Sequence, residues 1–125
     1  MGTFSTKLRV SNPHDASKAE ELEVLVDTGA AFSWVGRMRL ERIGVGPSRR
    51  MQFPTIEGRI LERDVAIVYV AANGYPVPDL VVMAEPGEGE VLGAHTMEGL
   101  GVAADTVQRK LVPAVMLALS LTVTA

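Results

Sequence analysis

A chain of 125 residues with 47% apolar content is long enough for one hydrophobic core and too apolar to stay disordered. Twelve Lys and Arg against 15 Asp and Glu leave a net charge of −3, which argues against a nucleic-acid or anionic-membrane surface as the main function. The absence of Cys excludes disulfides, thiolate metal sites and a cysteine nucleophile.

The start, Met1-Gly2-Thr3-Phe4-Ser5-Thr6, lacks the apolar core of a secretory signal. It fits the loose N-myristoylation pattern, but that pattern recurs by chance. No apolar stretch reaches the roughly 20 residues of a membrane span, so a cytoplasmic location is expected. Phe4, Thr6, Leu8 and Val10 alternate with their neighbours, the period-2 signature of a half-buried strand. Ser11 to Asp15 is turn chemistry, and a second strand is expected over Glu21 to Val26. Asp27-Thr28-Gly29 turns the chain into a third strand, Phe32 to Val35. A short helix follows over Gly36 to Ile43, with Met38, Leu40 and Ile43 facing inward and Gly44 just past its end. Arg49 to Ile56 and Arg59 to Val70 form a hairpin around Glu57-Gly58, and Asn73-Gly74 marks another. Asp79 to Met83 is a strand, Glu85 to Glu90 an acidic surface loop, and Val91 to Gly93 a short strand. Ala94 to Leu100 reads as a helix closed by Gly101. Val102 to Ala104 and Lys110 to Pro113 make a last hairpin around Thr106 to Arg109. The alternating tail Ala114 to Ala125 is expected to be a strand. Many short strands, two short helices and no βαβ rhythm predict one mostly β domain over 1–125, a small closed barrel.

Asp27 follows Val24-Leu25-Val26 and precedes a second apolar run. A carboxylate among aliphatic side chains is costly unless hydrogen-bonded or paired. An ordinary Asx-type turn accounts for Asp-Thr-Gly alone, but not for the apolar residues directly ahead of it.

The tetrad Asp27-Thr28-Gly29-Ala30, taken with Val91-Leu92-Gly93, Gly99-Leu100-Gly101-Val102 and Arg109 to Pro113, resembles the retropepsin-like (retroviral-type) aspartic proteases. The order and spacing look like those of single-domain bacterial-type members. The resemblance implies an aspartic endopeptidase with Asp27 as the catalytic residue. Thr28, Gly29 and Ala30 would support the catalytic turn, Thr28 by hydrogen-bonding across a dimer axis. Ile56, Glu57, Gly58 and Arg59 would form the tip of a flap that closes over substrate. Val91, Leu92 and Gly93 would be the core motif near the subsites. Where many relatives carry Gly-Arg-Asp or Gly-Arg-Asn, this chain has Gly93-Ala94-His95, so any dimer brace differs. His95 is either a replacement or, the blander reading, a solvated or core-satisfied histidine at a helix start.

Water attack on an amide needs a base for the water and an acid for the carbonyl oxygen or leaving nitrogen. The aspartic proteases it resembles use two carboxylates, and the chain holds one Asp-Thr-Gly, so the resemblance implies that the second is Asp27 of another copy, in a C2 homodimer. Two carboxylates sharing a site do not both ionise cheaply, so one would act charged and the other protonated. Ala30 lacks the hydroxyl that pepsin-like enzymes place beside the carboxylate, which implies a mildly acidic optimum above theirs. The tail 113–125 is a candidate dimer interface, since an unpaired apolar strand invites association.

His14 and His95 with Asp15 and Glu98 make no metal constellation, and neither metal nor cofactor is expected. Arg37, Arg39, Arg42, Arg49 and Arg50 read as a solvated face, and Trp34 as a core or interface anchor. No Gly-x-Ser-x-Gly elbow supports a serine hydrolase. The expected partners are a second copy and a peptide or protein substrate. The alternatives are a dimeric peptide-binding module on the same fold with little activity, and a structural barrel whose Asp-Thr-Gly is a plain turn.

Overall fold

The computed structural model describes residues 3–114, so the expected strand in the C-terminal tail lies outside the described residues beyond Ala114. β1 (Ser5–Asn12) and β2 (Asp15–Val26) form a long antiparallel hairpin, with Leu8 opposite Leu22. Pro13-His14 makes its turn, where the Asn12 side chain accepts the His14 N–H at 2.8 Å. β2 begins six residues earlier than the apolar pattern implies. Its first residues, Asp15 to Lys18, are exposed and pair only through the hairpin, so no buried face records them.

β3 (Trp34–Gly36) leads directly into α1 (Arg37–Arg42), and Gly44 follows that helix with φ +78. Leu40 and Ile43, one turn apart, are buried, but Met38 is 63% exposed and does not face the core as expected. Positions i and i+2 on a helix are about 200° apart, so Met38 and Leu40 cannot share a face. β4 (Arg49–Pro54) and β5 (Ile60–Ala71) form the expected hairpin, and Gly58 at its tip has φ +88. β6 (Val77–Ala84) is followed by β7 (Val91–Leu92), α2 (Ala94–Leu100) and the hairpin β8 (Val102–Asp105) with β9 (Lys110–Pro113). Gly101 (φ +72) ends α2, and Arg109 (φ +58) turns the last hairpin.

The strand order is β1-β2-β7-β3-β6-β5-β4, and β1 also pairs with β5, so the ladder of pairings returns to its first strand. β7 lies between β2 and β3, parallel to the first and antiparallel to the second. The core is aliphatic, with Leu8, Val10, Val35, Leu40, Met83 and Leu92 fully buried.

Of the arginines expected to form a solvated face, Arg37, Arg39, Arg42 and Arg50 are instead ion-paired, and the acidic loop supplies Glu85 and Glu90 among their partners. Arg37 meets Asp64 at 2.6 Å and Glu85 at 3.0 Å, and Arg39 meets Glu90 at 2.9 Å and Glu20 at 3.1 Å. Arg42 also pairs with Glu20, and Arg63 with Glu88. Glu90 further accepts the Gly36 N–H at 2.8 Å, serving the start of α1 where no side-chain cap is present. Burial opposes the charge on Glu90, but Arg39 and that N–H hold its carboxyl below the ordinary range. Glu20 is lowered by Arg42, Asp64 by Arg37 and Glu88 by Arg63. Carboxyls lowered on folding stabilise the protein fully above their unfolded pKa of about 4, and that contribution is lost as pH falls through the folded values. Glu90→Gln is therefore expected to cost about 1–2 kcal/mol at pH 7, since it weakens charged hydrogen bonds, and little at pH 3. Urea midpoints at the two pH values check this; an equal loss at both would contradict it.

Candidate active site

Alternation along β2 buries Leu22, Val24 and Val26 and brings Asp27, half-buried, to the end of the strand. Its backbone is held by the neighbouring short strand: the Asp27 N–H donates to the Leu92 carbonyl at 3.0 Å. The Asp27 carbonyl accepts the Ala30 N–H at 3.1 Å, and its Oδ1 accepts the Gly29 N–H at 2.9 Å. The carboxylate is thus fixed by its own turn rather than sealed in the core. Asp27 and Thr28 line an open cleft of about 240 Å³, with Thr3, Phe4, Val26, Ala104 and Thr106 as its other walls.

Gly93 packs directly beneath the loop that follows Asp27. A Cβ there would lie 2.6 Å from the carbonyl carbon and oxygen of Phe32 and 2.8 Å from the Ala30 oxygen. Real Cβ atoms do not approach backbone that closely, so only glycine fits without moving the loop. The first N–H groups of α2 stitch the two segments together: Ala94 donates to the Ala30 carbonyl at 2.8 Å and His95 to that of Ala31 at 2.9 Å. Leu92 is buried in the core and Val91 half-buried; neither they nor Gly93 line the cleft.

The hairpin tip carries the remaining expected site residues. Ile56 is fully exposed, Glu57, Gly58 and Arg59 are exposed beside it, and the Gly58 N–H closes the turn onto the Thr55 carbonyl at 3.0 Å. None of the four lines the cleft at Asp27. The stem of this hairpin does reach the loop, because Phe53 meets the Phe32 ring edge-to-face at 6.1 Å and lies 6.1 Å from the half-buried Trp34 ring. Trp34 thus links strands more than it fills the core. His95 is mostly exposed, with its ring 5.5 Å from that of Phe32 and Nε2 3.9 Å from Asp79. Its ring is thus solvated at the start of α2.

Sequence reasoning missed a buried polar chain behind the loop. The Gly93 N–H donates to Ser33 Oγ at 2.9 Å, Ser33 Oγ lies 2.5 Å from Thr96 Oγ1, and Thr96 Oγ1 donates to Asp79 Oδ2 at 2.5 Å. Ser33, Thr96 and Asp79 are all buried, and burial raises the Asp79 carboxyl above its ordinary range. The only signal in the sequence is a polar residue inside an apolar run, as in Phe32-Ser33-Trp34-Val35. Among the described residues no group of His, Asp or Glu is arranged to hold a metal, and no helix is long and apolar enough to cross a membrane.

Neither a protein-family model nor a curated protein matches the sequence. The fold matches solved structures. Against the solution structure of simian foamy virus protease the TM-score is 0.53 at 20% identity, covering 75% of this chain and 91% of that one. Against EIAV protease complexed with the inhibitor HBY-793 it is 0.59 at 19% identity, covering 89% and 93%. The foamy viral protease-reverse transcriptase in complex with an RNA/DNA hybrid matches at 0.52 and 17% identity over 91% of this chain and 13% of that much longer one. At such identities the likeness is one of architecture: this chain has the fold of the retroviral proteases.

Proposed function

We propose that the protein is an aspartic endopeptidase of the bacterial retropepsin-like type, a closed β-barrel that works as a C2 homodimer. The observation that carries the reading is the Asp27-Thr28-Gly29 turn, open to a cleft and braced by β7 and α2, on a fold shared with retroviral proteases. One turn supplies one carboxylate, and amide hydrolysis needs a base and an acid together.

In the dimer, one ionised Asp27 takes a proton from water as that water attacks the scissile carbonyl carbon. The Asp27 of the second copy, protonated, gives its proton to the carbonyl oxygen. Collapse of the tetrahedral gem-diol breaks the C–N bond: the proton held by the first carboxyl passes to the leaving nitrogen, and the second carboxylate takes a proton back from a diol hydroxyl as the carbonyl reforms, which restores both Asp27 groups. Gly29 donates its N–H to the Asp27 carboxylate, while Ala30 offers no hydroxyl to do so. Thr28, exposed and lining the cleft, would hydrogen-bond to its counterpart across the axis. The hairpin Ile56 to Arg59 is the flap, with Gly58 permitting close approach of backbone to substrate. A mildly acidic optimum follows, and the loss of the arginine–carboxylate network below about pH 4 sets a lower limit.

The shared site is tested by subunit mixing. Wild-type protein is equilibrated with a ninefold excess of Asp27→Asn and assayed on a mixed peptide library at pH 3 to 7. Random pairing leaves roughly one wild-type protomer in ten with a wild-type partner, so cleavage per wild-type chain should drop about 10-fold. Cleavage unaffected by the excess would rule out a site built from two chains. Peptide binding without cleavage in any mixture would point to the binding-module reading.

A further inference from the structure

The buried chain Gly93–Ser33–Thr96–Asp79 joins four separate parts of the fold at one point behind Asp27. Ser33 lies on the segment that follows the Asp27 loop and leads into β3, Gly93 between β7 and α2, Thr96 on the first turn of α2, and Asp79 on β6. Its hydrogen bonds have one consistent direction. With Thr96 Oγ1 donating to Asp79, the Thr96 oxygen is free to accept from Ser33, whose own oxygen accepts the Gly93 N–H. Each donor points toward the carboxylate, so the bonds polarise one another. No buried side-chain polar atom among the described residues is left without a partner, which makes the relay complete as it stands.

Its position gives it leverage on the catalytic turn. The residue before Gly93 accepts the Asp27 N–H, and the two residues after it donate to Ala30 and Ala31. Moving Gly93 therefore moves both anchors of the loop that carries Asp27. We infer that Asp79, Thr96 and Ser33 are positioning residues that set where the Asp27 carboxylate stands, by fixing Gly93 against the loop. The catalytic consequence rests on the peptidase reading; the effect on the loop does not.

The test uses the full chain as Thr96→Val, which keeps the shape and removes the hydroxyl, with Thr96→Ser as the rescue and Ser33→Ala, which removes the acceptor of the Gly93 N–H, as a second break. Amide hydrogen exchange at Gly93, Asp27 and Gly29 is read against the core amides of Val81 and Met83. In Thr96→Val the first three are expected to exchange at least about 10-fold faster relative to the core pair, and Thr96→Ser to restore them. On a cleaved peptide, kcat should fall on the order of 100-fold, the penalty typical of a misplacement near 1 Å, with KM nearly unchanged. Relative exchange equal to wild type, or protection lost evenly across loop and core, would overturn the inference. Should Thr96→Val fail to fold, Ser33→Ala carries the same comparison: faster relative exchange at the loop supports the relay, and an unchanged ratio overturns it. A wild type that cleaves nothing would defeat the peptidase reading alone, and the exchange ratio would still decide the relay.

Discussion

Asp27→Asn is expected to reduce peptide cleavage by about 1000-fold or more while leaving the fold in place. Loss of a positioned acid or base typically costs about 10²–10⁴-fold, and in a two-carboxylate site the substitution removes both roles at once. The folded state has little to lose. Asp27 is half-buried, its Oδ1 accepts one N–H from Gly29, and an asparagine amide oxygen can accept the same bond. The backbone bonds to Leu92 and Ala30 do not involve the side chain. The melting temperature should therefore move by no more than about 3 °C, consistent with about 0.5 kcal/mol for a site of this kind. A peptide-library assay from pH 3 to 7, run beside a statine-type inhibitor, separates the outcomes. Cleavage that survives the substitution would sink the assignment of Asp27, and with it the aspartic mechanism.

Gly93→Ala should be the most damaging single methyl in the described chain. Overpacking against flexible side chains usually costs about 1–3 kcal/mol, because those side chains can move. Here the methyl meets the Phe32 carbonyl carbon and oxygen at 2.6 Å and the Ala30 oxygen at 2.8 Å, all backbone atoms of the loop under Asp27. The N–H groups of Ala94 and His95, next to Gly93, hold the Ala30 and Ala31 carbonyls of the same loop, so moving it away from the methyl strains those bonds. A loss of about 3 kcal/mol or more is expected, equivalent to a drop of roughly 10–20 °C in melting temperature. Gly46→Ala is the control, since nothing lies within 4 Å of a Cβ there, and it should stay within about 0.5 kcal/mol of wild type. Urea denaturation of the two variants settles the matter; similar midpoints would contradict the close approach.

The Arg–carboxylate pairs around α1 and the Glu85–Glu90 loop show how a composition argument can mislead. Runs of like charge read as solvated faces when each is taken alone. Arg37 and Glu85 lie 48 residues apart and Arg39 and Glu90 lie 51 apart, so their pairing has no local signature. Met38 departs from expectation for a different reason. A helix of only six residues cannot turn three apolar positions to one face here, because the spacing of Leu40 and Ile43 already excludes Met38 from theirs.

What the sequence determined by itself is local. Alternation in β1 and β2, the glycine at the β4–β5 tip, Gly101 after α2 and the turn at Asp27 follow from backbone preference and side-chain period, and each is in place. The likeness to retroviral proteases is legible in the same way, as motifs in order, and the fold agrees with it. Tertiary structure decided which segments meet. It set β7 between β2 and β3, put Gly93 where no other residue fits, and drew Ser33, Thr96 and Asp79 into one buried chain across separations of 17 to 63 residues. Periodicity encodes which face of an element is buried; it carries no record of what that face is buried against.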